Sequence, residues 1–250
     1  MTQRKFFRTS TIAALVLALS ATSSAFAATP SANSTANAPV HADSARNAYL
    51  WMQSRDDTVL LLVDHQIGLF TGVRDINVAE LKHNVVALAK AAQVLGIPVI
   101  VTATMPDGMF GPTIPELTAA LPGVQVINRT VINAWDDSRV VAAVKKTGRK
   151  QLLVAGVSLE VCATFPALSA KADGYDSRVV FDASGTFNDA KRTVGLQRLA
   201  GAGVPITDYA TSVIEMLRDN ADPKAHDVYG ALDIPFATLV WQLNQAATKK

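Results

Sequence analysis

The sequence contains too little cysteine and too little excess charge for several classes of protein. A single cysteine among 250 residues cannot form an internal disulfide, so a scaffold held together by disulfides is excluded. Lysine and arginine number 23, against 21 aspartates and glutamates, and the formal net charge is only +2. Because the chain has no basic excess and no nucleic-acid-binding motif, we expect no nucleic-acid partner.

Motifs for metals, nucleotides and serine nucleophiles are absent as well. The four histidines do not have the spacing of metal ligands. No Walker A loop, no glycine-rich loop that opens a helix after a strand and no G-x-S-x-G elbow occurs. We therefore expect no metal and no cofactor. The chain is instead 49% hydrophobic and 18% charged, which is typical of a globular protein.

The first 27 residues have the features of a signal peptide. Basic residues at positions 4, 5 and 8 precede a short apolar run at 11–20, and an Ala-Phe-Ala cleavage site ends at Ala27. The run is shorter than the about 20 residues that cross a bilayer. Cleavage would remove three positive charges and lower the net charge from +2 to −1. An uncleaved amphipathic helix is the alternative interpretation of this segment.

The rest of the chain is expected to be one exported domain. Residues 28–46 are rich in alanine, serine, asparagine and proline and lack periodicity, which favours a flexible leader. Residues 47–250 have the length of a single domain. No later apolar run is long enough to cross a membrane, so we expect a periplasmic or secreted protein without a membrane contact after cleavage.

The hydrophobic pattern of the domain alternates between strands and helices. Apolar, β-branched runs predict strands at 58–63, 99–102, 125–127, 151–155, 177–181 and 204–206. Helical spacing predicts helices at 79–95, 138–147, 162–173, 189–202, 211–220 and 236–247. This alternation predicts an α/β fold with a parallel sheet covered on both faces, and ligands of such sheets bind at the carboxyl ends of the strands. The last helix could pack on its own sheet or on another subunit.

Three chemically active side chains follow predicted strands. Asp64 follows the first strand, Arg129 the third and Cys162 the fourth. Pro166 places a helix start near Cys162, where the helix dipole would stabilise a thiolate. Taken singly, Asp64 could be a turn cap, Cys162 a buried hydrophobic residue and Arg129 a surface cation. Together they provide the base, the cation and the nucleophile of a cysteine hydrolase.

Several blocks of sequence resemble the isochorismatase-like cysteine hydrolase superfamily, and within it the YcaC-type branch. They are residues 61–66 (LLVDHQ), 132–137 (INAWDD), 155–162 (AGVSLEVC) and 182–188 (DASGTFN). The resemblance extends from about residue 50 to 245. It implies a three-layer α/β/α Rossmann-like fold with a mostly parallel six-stranded sheet, and a homo-oligomer. It also implies an Asp–Arg–Cys triad of Asp64, Arg129 and Cys162.

The resemblance implies further roles around this triad. The peptide bond between Val157 and Ser158 would be cis, and the amides of Ser158 and Cys162 would bind the oxyanion. Three side chains would line the pocket for a small-molecule substrate: Gln66, Phe70 and Trp135. From the residues alone, Gln66 could equally be a surface amide and the two aromatic residues could belong to the core.

Two departures from the superfamily pattern narrow the expected reaction. Most members have lysine where this chain has Arg129, and the YcaC-type branch has arginine. Residues 102–110 contain no histidine, which argues against a metal-dependent nicotinamidase, and Cys162 argues against vinyl ether cleavage by a true isochorismatase. We therefore expect a hydrolase of small amides or carbamoyl compounds that forms a thioester. The alternatives are a vinyl ether or ester hydrolase and a catalytically silent periplasmic oligomeric binding protein.

Overall fold

Six hydrophobic segments form one parallel sheet in the computed structural model, which describes residues 52–248. The strands are β1 (Thr58–Val63), β2 (Val99–Thr104), β3 (Val126–Arg129), β4 (Gln151–Gly156), β5 (Asp176–Val180) and β6 (Ile206–Thr207). Their order is β3-β2-β1-β4-β5-β6, and every neighbouring pair is parallel. The order reverses between β1 and β4, which is where ligands bind in folds of this kind.

Nine α-helices surround this sheet within the described part of the chain. They are α1 (Ile67–Phe70), α2 (Val78–Leu95), α3 (Pro115–Ala120), α4 (Ser138–Lys146), α5 (Thr164–Ala172), α6 (Asp189–Gly201), α7 (Tyr209–Leu217), α8 (Ala225–Leu232) and α9 (Pro235–Thr248). A 3₁₀ turn (Ala134–Asp136) and a π-helical turn (Leu159–Ala163) complete the secondary structure between residues 52 and 248.

The side chains of β1 alternate between two hydrophobic cores. Leu60 and Leu62 pack with α2, α7 and α8 on one face of the sheet. Val59, Leu61 and Val63 pack with α4, α5 and α6 on the other. Because β1 is buried on both faces, its sequence is a continuous apolar run rather than an alternating one. The three-layer α/β/α fold expected from the sequence is confirmed.

The structure corrects the predicted boundaries at two functional positions. Arg129 is the last residue of β3 rather than a residue that follows it. Cys162 lies in the π-helical turn before α5 and not in the first turn of the α-helix itself. Spacing arguments cannot separate a π-helical turn from the α-helix that it precedes, because both bury the same side of the segment.

The region after β6 contains one more helix than the pattern indicated. The segment interpreted as a polar loop includes α8, whose Val228 and Leu232 are buried against α2. In α9 the apolar stripe is exposed instead of packed on the sheet: Phe236, Leu239, Val240 and Leu243. The predicted signal peptide (1–27) and leader (28–46) lie outside the described residues. Between residues 52 and 248, no helix is both long and apolar enough to span a bilayer.

Candidate active site

Asp64, Arg129 and Cys162 come together at the carboxyl edge of the sheet. Asp64 directly follows β1, and Cys162 follows β4, which pairs with β1 along its whole length. Arg129 is farther away, because β2 lies between β3 and β1. Its long side chain spans β2, where Nε donates to Thr102 Oγ1 at 3.4 Å, and its guanidinium then reaches the carboxylate. The parallel order of the strands therefore assembles the three side chains.

Asp64 and Arg129 form an ion pair that is almost completely shielded from solvent. Nη2 of Arg129 donates to Oδ2 of Asp64, and their side chains are 0% and 1% exposed. Nη1 of Arg129 donates to the carbonyls of Val131 and Ile132, the latter at 2.9 Å. The guanidinium thus holds both the carboxylate and the loop after β3, which a lysine with a single terminal nitrogen cannot do in the same geometry.

The carboxylate of Asp64 also contacts the nucleophile candidate. It interacts with the Cys162 thiol and with the backbone of Thr104, in addition to Arg129. Asp64 has a positive φ of 58°, a left-handed conformation that aspartate tolerates better than most residues. The contact with the thiol makes this carboxylate suited to accept the thiol proton.

In the π-helical turn that carries Cys162, three backbone amides share one carbonyl as their acceptor. The amides of Val161, Cys162 and Ala163 all point at the carbonyl of Ser158, at 3.3, 2.7 and 3.3 Å. The Cys162 amide, expected to bind an oxyanion, therefore already donates within the turn. The backbone of Ser158 instead donates a hydrogen bond to the thiol, and the Val157–Ser158 peptide bond is cis.

Gly156 allows this turn to lie close to the end of β4. A Cβ at this position would stand 2.9 Å from the amide nitrogen of Ala163 and 3.0 Å from the carbonyl oxygen of Val63. Both contacts are with backbone, which cannot move aside as a flexible side chain could. A glycine is therefore required for the thiol of Cys162 to approach the end of β1.

Burial keeps the thiol protonated in the resting protein. Burial raises the pKa of Cys162 well above its ordinary value, and the adjacent charge of Asp64 raises that pKa further. Burial also raises the pKa of Asp64, although the charge of Arg129 opposes this shift. The expectation of a thiolate stabilised by a helix N-terminus is thus wrong for the resting state, because desolvation outweighs the backbone dipoles. A base beside the thiol could accept its proton, and Asp64 is the carboxylate that contacts it.

His65 is a buried neutral side chain beside this base. Burial lowers the pKa of His65 to about 4, so the ring is uncharged at neutral pH. Its Nε2 lies 2.9 Å from the carbonyl oxygen of Ala183 and must carry the proton that it donates. Sequence reasoning did not predict a role for His65, and only its position next to Asp64 could have indicated one.

The three expected pocket residues are buried within the protomer. Gln66 is not a surface amide: its Oε1 accepts from the Thr104 amide at 2.9 Å, and its Nε2 donates to the carbonyls of Thr104 and Gly111 at 2.9 and 2.5 Å. Phe70 belongs to the core on the α2 face. The indole of Trp135 donates to Asp173, and its ring packs edge-on against Tyr175. Contact of these three residues with a substrate stays a prediction.

A cavity opens beside Arg129 at the same edge of the sheet. Its volume is about 510 Å³, and it lies between the loop after β2 and the loop after β3. Charged side chains on its wall include Asp107, Arg129, Asp137 and Arg139. Residues 52–248 contain no group of three or more histidine, cysteine, aspartate or glutamate side chains that could hold a metal ion.

Known proteins with similar sequences and structures share this arrangement of strands. Residues 58–211 match the family described as Isochorismatase domain. The chain is 46% identical over 166 residues to probable hydrolase YcaC of Escherichia coli K12, a match that covers 66% of this chain and 80% of that protein. The crystal structure of the E. coli YcaC gene product, described as an octameric hydrolase of unknown specificity, superposes with a TM-score of 0.74 at 39% identity. That superposition covers 78% of this chain and 97% of the other.

A second solved structure is similar to the same extent. YcaC from Pseudomonas aeruginosa, solved with hexane-2,5-diol and covalent acrylamide, superposes with a TM-score of 0.73 at 39% identity. The match covers 78% of this chain and 98% of that one.

Proposed function

The chain belongs to the isochorismatase family and is a hydrolase of that family, and from this premise we propose that it cleaves a C–N bond of a small amide or carbamoyl compound through a thioester on Cys162. The observation that carries the proposal is the contact between the Cys162 thiol and the Asp64 carboxylate, which is itself held in a buried pair with Arg129. A base, a nucleophile and a fixed cation in one water-poor site are what acyl transfer by a cysteine requires.

The proposed reaction begins with proton transfer inside the site. Asp64 accepts the thiol proton as the sulfur of Cys162 attacks the carbonyl carbon, and the Ser158 amide shifts its hydrogen bond from the sulfur to the developing oxyanion. The C–N bond then breaks, and the nitrogen leaves with the proton that Asp64 returns. Water hydrolyses the thioester with Asp64 again as base, which releases the carboxylic or carbamic acid and restores the thiol. Arg129 stays positively charged throughout and stabilises ionised Asp64.

The covalent acrylamide on YcaC of P. aeruginosa supports a reactive nucleophile in this branch. Acrylamide is both an amide and an electrophile, and a covalent adduct forms when a nucleophile adds to its double bond. In this chain Cys162 is the only thiol. We propose that Cys162 is the group that acrylamide modifies here.

The direct test is ammonia or amine release from a panel of small primary amides and carbamoyl compounds. We expect at least one to turn over, and Cys162→Ala to abolish that turnover while Asp182→Asn, which changes a different, partly buried carboxyl group, retains it. Full turnover by Cys162→Ala would overturn the mechanism. If turnover then still required Asp64, an ester or vinyl ether hydrolase would be favoured. No turnover together with an ordinary exposed thiol would favour a silent binding protein.

We also propose that the chain is a homo-oligomer and that α9 forms a contact between copies. Residues Pro235–Thr248 contain no charged side chain, and Phe236, Leu239, Val240 and Leu243 are 73%, 53%, 40% and 61% exposed. A second α9 can pack against this uncharged stripe without like-charge repulsion. The octameric state of the E. coli relative supports a second copy of this chain as the occupant.

Light scattering tests this contact. We expect the wild-type chain to be an oligomer at micromolar concentration, and Leu239→Glu with Leu243→Glu to dissociate it, whereas Val194→Glu on exposed α6 should not. A wild-type monomer would overturn the proposal, and an intact oligomer of the double variant would place the contact elsewhere.

Export through residues 1–27 is a further proposal, supported by the charge and hydrophobicity pattern of that segment. When the full-length chain is expressed, we expect a cleaved protein that begins at Ala28 to be recovered outside the cytoplasm. A chain lacking residues 2–27 should stay inside the cell. An uncleaved full-length chain in the cytoplasm would contradict the signal peptide.

A further inference from the structure

The loop after β5 contacts both segments that carry the proposed catalytic residues. We name residues 183–186 the bracket loop. The carbonyl of Ala183 accepts a hydrogen bond from Nε2 of His65 at 2.9 Å, and His65 is the chain neighbour of Asp64. The hydroxyl of Ser184 accepts from the amide of Gly156 at 3.1 Å, where β4 ends. The first half of the bracket loop therefore joins the ends of β1 and β4.

The second half of the bracket loop binds the π-helical turn itself. The carbonyl of Gly185 accepts from the amide of Leu159 at 2.9 Å. The hydroxyl of Thr186 donates to Oε2 of Glu160 at 2.6 Å. Leu159 and Glu160 belong to the turn and lie three and two positions before Cys162 in the chain. The bracket loop thus holds the part of the turn that leads into the nucleophile.

The turn depends on such outside support. Its last three amides share the single carbonyl of Ser158, and only one of those contacts, from Cys162, is as short as 2.7 Å. Single π-helical turns are less stable than regular α-helix and often occur at functional sites. The Thr186 side chain is completely buried and that of Glu160 is 14% exposed, so water has little access to the bond between them. Small changes at this bond should therefore move Cys162.

The bracket loop is itself firmly anchored. Asp75 accepts from the amide of Thr186 at 2.6 Å and from Arg192 at 2.5 Å. The Ser184 hydroxyl donates to the carbonyl of Val180 at 2.7 Å. A Cβ on Gly185 would stand 2.6 Å from a methyl group of Leu81, so the backbone lies directly against α2. The loop can therefore impose a position on the turn.

We propose that Thr186 is a positioning residue that acts through Glu160: their hydrogen bond holds the π-helical turn where the Cys162 thiol meets the Asp64 carboxylate. The proposal rests on the proposed role of Cys162 as nucleophile. Thr186 bonds neither to the thiol nor to the carboxylate, so its effect should appear only where proton transfer between those two groups matters. Misplacement of a reacting group by about 1 Å can cost about 100-fold in rate.

The test is the pH profile of Cys162 alkylation by acrylamide, followed by intact mass. In the wild type we expect an Asp64-dependent rate that is level at neutral pH and falls on the acid side. Thr186→Val should lower the pH-independent rate at neutral pH about 10- to 100-fold. Thr186→Ser, which keeps the hydroxyl, should have the wild-type rate. In the Asp64→Asn background, Thr186→Val should have no further effect, because the proton transfer it aligns is already absent.

Thr58→Val is the matched control. Thr58 is also fully buried and donates its hydroxyl to a buried side chain, Gln151, but at the opposite end of the sheet. Removal of either hydroxyl should lower stability, so a purely structural role would affect both variants alike. A positioning role lowers the Asp64-dependent rate only for Thr186→Val.

Each outcome separates this proposal from the proposed function. A wild-type rate for Thr186→Val, or no restoration by Thr186→Ser, overturns the role of Thr186 alone. A wild-type profile for Asp64→Asn overturns the proposed function itself. Should Thr186→Val fail to fold, Glu160→Ala removes the same hydrogen bond from the other side. It must then produce the same fall in rate, and an unchanged rate would overturn the proposal.

Discussion

Two aspartates lie at the carboxyl edge of the sheet, the buried Asp64 after β1 and the partly buried Asp182 after β5, and they have different neighbours. Burial raises the pKa of both carboxyl groups, that of Asp182 to about 6. Asp64 is paired with the guanidinium of Arg129 and faces the thiol of Cys162. Asp182 accepts instead from the amide of Tyr209 at 2.8 Å, at the start of α7.

The difference shows that a raised pKa alone does not identify a catalytic carboxylate. Asp182 lines a cavity of about 760 Å³, larger than the one beside Arg129, together with Glu80, His83 and Tyr209. No cysteine lies among the residues that line this cavity, and the hydrogen bond that Asp182 accepts from the Tyr209 amide supports the start of α7. Asp64, by contrast, lies beside a thiol and a fixed cation, and this is the combination on which its proposed role as base depends.

The strongest way to test the comparison is to neutralise each carboxylate in turn. Asp64→Asn should lower turnover about 10²- to 10⁴-fold, because it removes the general base, whereas Asp182→Asn should leave it nearly unchanged. Wild-type activity should fall as pH drops through the raised pKa of Asp64, because the base is then protonated. Steady-state rates against pH measure both effects, and an equal loss in the two variants would remove the distinction.

The same substitution, Asp64→Asn, should also lower the pKa of the Cys162 thiol. The charge of Asp64 is one of the causes that raise the pKa of Cys162. In Asp64→Asn the pKa of the thiol should therefore fall, and the alkylation profile should become a single thiol titration without the acid-side limb. An unchanged thiol pKa would mean that the two groups do not interact.

Removal of the cation should reveal how much the site depends on its ion pair. Arg129→Met leaves Asp64 as an uncompensated buried carboxylate, so the free energy of unfolding should fall by about 3–5 kcal/mol. The pKa of Asp64 should rise further, which moves the acid-side fall in activity to higher pH. Urea unfolding gives the stability, and Arg139→Met, which breaks an exposed pair with Asp137, is the control. Its effect should stay below about 1 kcal/mol.

The smallest expected effect is that of Asp182 on the pH dependence of protein stability. The pKa of Asp182 is about 6 in the folded protein against an ordinary 3.8. The folded state therefore binds the proton more tightly than the unfolded state does. The stability that Asp182 contributes is fully present below about pH 3.8 and is lost as the pH rises through about 6. Asp182→Asn stays neutral, so its melting temperature relative to the wild type should be higher at pH 7 than at pH 4. The same difference at both pH values would contradict the burial effect.

The sequence predicted the strands and the three strand-end residues better than it predicted their chemistry. The run at 58–63 matches β1 residue for residue, because β1 is buried on both faces. The proximity of Asp64 and Cys162 follows from the pairing of β1 with β4, and this strand order was not predicted from the sequence. The contribution of α8 was missed because its buried side, which includes Val228 and Leu232, is short and interrupted by polar residues.

Tertiary effects explain what sequence reasoning could not supply. The thiol of Cys162 was expected to ionise easily, but its desolvation depends on residues distant in the chain. The surface alternative for Gln66 is wrong, because its buried amide links β2 to residue 111, while its contact with a substrate stays a prediction. The contacts of the bracket loop are largely with backbone groups, which leave no pattern in side-chain spacing.

The way in which Arg129 is held constrains the evolutionary routes open to this site. Its guanidinium bonds to Thr102, to Asp64 and to two carbonyls of the following loop. A change to lysine, the residue more usual in the superfamily, would leave those loop carbonyls without donors. A lineage that crosses between the two forms must therefore rebuild the loop at Val131 and Ile132 at the same time as the cation. We therefore expect Arg129→Lys to be tolerated poorly unless the loop at Val131 and Ile132 changes with it.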